Sequence, residues 1–68
     1  AILEALKARY EAEIAEADAT ANIYLENSVG IGEHPQHIDE VNKQIEKIAA
    51  AREKLEVLEQ FEPEKAVL

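Results

Sequence analysis

In the first part of the chain, apolar positions fall at Leu3, Leu6, Tyr10, Ile14, Ala17, Ala21 and Tyr24/Leu25, in steps of three and four. Such spacing lines one face of an α-helix. The intervening residues are mostly Ala, Glu and Lys, which favour helix intrinsically. Leu3, Ile14 and Leu25 also recur at intervals of eleven, which keeps a face aligned along a nearly straight helix. The pattern predicts a helix over residues 2–28. A second stripe, Ile38, Val41, Ile45, Ile48, Ala51, Leu55 and Leu58, predicts another over residues 35–62. From Val41 onward its steps are mostly heptad-like, which favours gentle left-handed supercoiling against a neighbour. Asp39 and Glu40 are expected in its first turn, where negative charge complements the helix dipole. Pro63 disfavours helix at the residue before it, so residues 63–68 read as a tail, with Val67 and Leu68 available to pack on a partner.

Between the stripes lies Val29-Gly30-Ile31-Gly32-Glu33-His34-Pro35, holding both glycines and one of the two prolines. Gly30 fits the position just past a helix C-cap, where a left-handed conformation is free of steric cost only for Gly. Ile31 is then expected to fold back near Leu25, and Gly32 to let the chain reverse. Pro35 suits the first position of the next helix, where its missing N–H has no helical partner in any case. The expected fold is all-α: an antiparallel two-helix hairpin, residues 1–68 forming one domain, with a loop at residues 29–34. With the loop centred near residue 32, facing positions should have numbers that sum to about 65. That register sets Ala17 and Ala21 against Ile48 and Ile45, Tyr10 against Leu55, and Arg52 opposite Glu13 as an edge ion pair.

Composition limits what such a hairpin can do alone. A chain of 68 residues buries only about 60% of its unfolded surface, so its core is marginal unless something staples it. Hydrophobic residues make up 47%, which argues against disorder, but much of that is Ala and the aromatics are Tyr10, Tyr24 and Phe61. Cysteine is absent, which removes disulfides and thiolate metal sites. One seam of medium-sized side chains offers little burial, and association is the usual remedy. A homodimer forming a four-helix bundle is therefore expected, most simply through the open edges of the two main stripes. A ladder of Ala5, Ala8, Ala12, Ala15, Ala19 and Ile23 on the far side of the first helix is either a second contact surface or helix-favouring filler.

Charge narrows the partners. Fifteen acidic against seven basic residues give a net charge of −8, and the pI is about 4.6. A polyanionic surface repels nucleic acid and anionic lipid, so neither is an expected partner. The longest uninterrupted apolar runs are three residues, such as Ala49-Ala50-Ala51, far short of a membrane span. No basic amino-terminal region precedes an apolar stretch, so no signal peptide is expected and a cytoplasmic location is.

Glu33, His34 and His37 are the one cluster with ligand chemistry. Imidazole and carboxylate bind zinc, nickel or copper, and His34 and His37 would lie one turn apart at a helix start. A third ligand from elsewhere is not obvious, and the ordinary alternative is a capping His34 beside an exposed His37. Gly30 and Gly32 lack the longer dinucleotide fingerprint and any following Lys-Ser/Thr, so they do not read as a phosphate cradle. Paired carboxylates such as Glu11/Glu13, Asp39/Glu40 and Glu62/Glu64 read as solvated charge, because tuning one into a general acid needs burial against an apolar wall. Ser28 and Thr20 have no histidine base that either helix would bring to them. No catalytic or cofactor-binding residues are assigned. The expected function is that of a non-enzymatic structural or protein-interaction module; the alternative is a small metal-binding protein using the loop Glu/His cluster. Within the loop Glu33 alone lacks a structural explanation, so Glu33, with His34 and His37, is the candidate contact for an unidentified protein partner.

The string VGIGEHPQH at residues 29–37, between two such helices, resembles small uncharacterised helical-hairpin proteins of tailed phages infecting marine bacteria and cyanobacteria. Tyr24-Leu25-Glu26-Asn27 before the loop and Ile38-Asp39-Glu40 after it belong to the same likeness, which covers about residues 20–58. Ser28 stands where that pattern has Pro, which bears on the helix end and not on the hairpin. The resemblance implies a phage accessory protein acting in the host cytoplasm, and it brings no activity or catalytic residue with it.

Overall fold

A computed structural model describes residues 1–26 and 35–62. Two helices make up the described chain: α1, Ile2–Glu26, and α2, Pro35–Glu59, each of 25 residues. No strand occurs among the described residues. The helices pack against each other antiparallel. Tyr24, near the end of α1, meets His37 at the start of α2, while Tyr10 lies under Lys54 farther along. The hairpin expected from the two periodic stripes is thus present as a pair of packed helices. The expectations for Gly30, Ile31 and Gly32, for residues 27 and 28 as the end of α1, and for the tail 63–68 lie outside the described residues.

At its start α1 closes its first turn with the Ala5 N–H donating to the Ala1 carbonyl at 3.0 Å, and Glu4 there complements the dipole. α2 stops at Glu59 instead of reaching Glu62. Its last carbonyls are taken up by tighter bonds of the i to i−3 kind: Gln60 N–H to Val57, Phe61 N–H to Leu58 and Glu62 N–H to Glu59, at 3.0, 2.9 and 3.3 Å. Because α2 starts at Pro35, its first turn holds no acidic residue; Asp39 and Glu40 fall just beyond it.

The seam follows a heptad more strictly than the largest apolar residues suggested. On α2 the buried residues Gln44, Ala51 and Leu58 alternate with half-buried His37, Val41, Ile48 and Leu55, in steps of four and three. On α1 the matching positions are Leu3, Leu6, Tyr10, Ile14, Ala17, Ala21 and Tyr24. Ile38 and Ile45, expected on the stripe, are instead 71% and 55% exposed, and Leu25 is exposed beside a half-buried Tyr24. Each lies one residue past a seam position. One residue turns a helix by about 100°, and a single neighbouring helix covers only a narrow stripe.

Two ring contacts cross the seam at known positions: Tyr24 with His37, whose numbers sum to 61, and Tyr10 with Lys54, whose numbers sum to 64, against the expected 65. Arg52 and Glu13 are both exposed, and the ion pair expected between them does not form.

What the hairpin buries is modest. The described core is Ala17, Ala21, Ala51 and Leu58 with the polar Gln44, and no large side chain is wholly enclosed. Lys54 Nζ sits 5.4 Å from the centre of the Tyr10 ring, a cation–π contact that ties the helices at the seam edge. Thr20 Oγ1 donates back to the Glu16 carbonyl at 2.9 Å, within α1. The Lys43–Glu40 pair, 3.2 Å apart on the surface of α2, contributes at most about 0.5 kcal/mol. Lys43→Ala is accordingly expected to leave the thermal midpoint almost unmoved in a calorimetric scan.

Gln44 is the one polar residue in this core; it is 8% exposed, and its amide is not sealed from solvent without a partner, so water can satisfy it.

Candidate functional site

Of the three residues singled out as a loop cluster, the structure places one. Glu33 and His34 lie outside the described residues. His37 occupies the first turn of α2 and is half-buried, not exposed as the simpler sequence reading had it. The seam phase accounts for this, because His37 opens the heptad that continues through Val41 and Gln44. Its ring packs edge-on against Tyr24, with centroids 5.6 Å apart and planes at 63°. Aromatic pairs favour this arrangement, since the positive edge of one ring meets the negative face of the other. The Nδ1 atom of His37 is turned inward, away from solvent. Among the described residues no three His, Asp or Glu side chains converge as metal ligands would. His37 therefore packs half-buried at the start of α2, against the Tyr24 ring. His37→Ala should destabilise the hairpin end by removing that packing, lowering the midpoint more than Asp39→Ala on the exposed face does.

At the other end a groove opens between the helices. Leu55 and Leu58 form its floor, and Lys7, Glu11, Glu59 and Glu62 its rim. Three carboxylates beside one ammonium, open to water, form a solvated acidic rim over an apolar floor. The groove brings no nucleophile and base together.

The remaining surface features are apolar. Ala5, Ala8, Ala12, Ala15 and Ala19 are all exposed, as is Ile23. Leu25, Ile38 and Ile45 are exposed near the loop end, and Ile2, Val57 and Phe61 toward the other end. Sequence periodicity assigned Ile38, Ile45 and the Tyr24/Leu25 position to the seam, so it did not foresee the exposure of Leu25, Ile38 and Ile45. The signal that could have separated them was the strict alternation of steps running back from Leu58 through Ala51 to Gln44. No helix among the described residues is long and apolar enough to cross a membrane. Comparison with family models, curated proteins and solved structures finds no match to this chain.

Proposed function

We propose that the chain is a non-enzymatic structural or protein-interaction module that works as a homodimer, two hairpins forming a four-helix bundle. The observation that carries this reading is the imbalance of the apolar side chains. Three alanines, one leucine and a glutamine are buried, while Ile2, Ile23, Leu25, Ile38, Ile45, Val57 and Phe61 remain exposed. A marginal core with its larger apolar groups outside gains most by burying them in an assembly. The likeness of the VGIGEHPQH string to tailed-phage proteins supports a role as a phage accessory protein in the host cytoplasm. Net charge of −8 supports a protein partner over nucleic acid or an anionic membrane surface.

Co-expression of two differently tagged copies tests the self-association. Each tag is expected to retrieve the other copy from freshly made protein, and recovery of one tag alone would contradict the dimer. Affinity capture of further partners by wild type, Glu33→Ala and His37→Ala then asks whether the loop end is a recognition point, as an exposed loop on a rigid scaffold would be. Equal recovery from all three would move the candidate contact to the helix faces. Calorimetric titration with zinc and nickel addresses metal binding through Glu33, His34 and His37. No heat is expected, and tight binding lost on His37→Ala would favour a metal-responsive protein instead.

A further inference from the structure

The groove at the terminal end carries a charge that its own residues leave unbalanced. Glu11, Glu59 and Glu62 share its rim with a single ammonium, that of Lys7, above Leu55 and Leu58. The end of α2 adds to this. Its last turn holds no basic residue, although the carbonyl end of a helix favours a cation. The floor is in part open as well, since Leu55 is only half-buried. A fitting occupant therefore brings one positive group and one apolar group, close together.

We propose that this occupant is the chain's own segment, residues 63–68, folded back along α2 so that Lys65 meets Glu11 and Glu59 while Val67 covers Leu55. Position is the first support. Glu62 belongs to the groove rim, and it is also the residue from which the segment departs. Pro63 disfavours helix at Glu62, so the chain leaves the axis of α2 at the groove itself. Reach is the second. From Glu62 back to Leu55 is roughly 10 Å along a helix, whereas residues 63–67 span roughly 16 Å when extended, which leaves slack for the reversal. Chemistry is the third. The segment reads Pro63-Glu64-Lys65-Ala66-Val67-Leu68, and successive side chains of an extended chain point to opposite sides. Lys65 and Val67 thus share one side, with Glu64 on the other, away from the carboxylates. A tethered segment also needs little affinity of its own, because a short linker holds it at an effective concentration near millimolar. One chain suffices, so this inference stands apart from the dimer reading.

The chain has no tryptophan, so Val67→Trp places one indole reporter in the segment. Its quenching by acrylamide, which is uncharged, is compared in four proteins: Val67→Trp alone, with Lys65→Glu, with Glu11→Lys/Glu59→Lys, and with all three reversals together. Glu11 and Glu59 are exposed, and circular dichroism checks that each protein keeps its helicity. Either one-sided reversal is expected to make quenching at least about twofold more efficient, because it turns exposed ion pairs into repulsions. The three reversals together should restore protection, which a loosened fold would not do. Equal quenching in Val67→Trp alone and with Lys65→Glu overturns the proposal. Protection that fades on dilution overturns it too, because the groove then holds the segment of a second copy.

Discussion

Replacing Ala51 by Leu is expected to cost about 1–3 kcal/mol, out of a total stability of roughly 3–10 kcal/mol for a chain of this length. Ala51 is 1% exposed, the lowest value in the core, and lies about one turn from Lys54, which sits over Tyr10. Added methylenes have nowhere to go unless the helices part. Parting them also breaks the Lys54 contact over Tyr10. The neighbouring Ala50 is exposed, and Leu is nearly as good a helix former as Ala, so Ala50→Leu should change stability by less than about 0.5 kcal/mol. Urea unfolding of both variants checks the pair. Equal, small effects would mean that Ala51 does not face a filled seam.

A second large effect concerns concentration. If folding and association are linked, dilution favours the separated unfolded chains. A hundredfold dilution is worth about 2.7 kcal/mol per dimer. Two chains of 68 residues carry an unfolding entropy near 290 cal/mol/K at about 2.1 cal/mol/K per residue, so the melting temperature should fall by roughly 10 °C. Thermal scans by circular dichroism across that range read it directly. A hairpin folding alone would melt at the same temperature throughout.

Much of the fold could be read from residue spacing. The glycine loop flanked by two periodic segments determined the hairpin, and Ala17, Ala21, Ala51 and Leu58, all placed on the stripes from spacing, form the buried core. One reading went astray for a physical reason. Ranking positions by hydrophobicity chose Ile38 and Ile45 over His37 and Gln44. In a pair of helices the seam is set by phase, and a polar side chain in phase is buried ahead of an isoleucine out of phase. The loop residues Glu33 and His34 gain no support from the fold, whereas His37 acquires a packing role against Tyr24 that spacing alone did not reveal.

Self-association is the claim on which the functional reading rests, and sedimentation equilibrium of the untagged chain at micromolar concentration tests it most directly. The expected result is a single helical species of twice 7.6 kDa that dissociates only on dilution. A stable, fully helical species of 7.6 kDa across the whole range would contradict it.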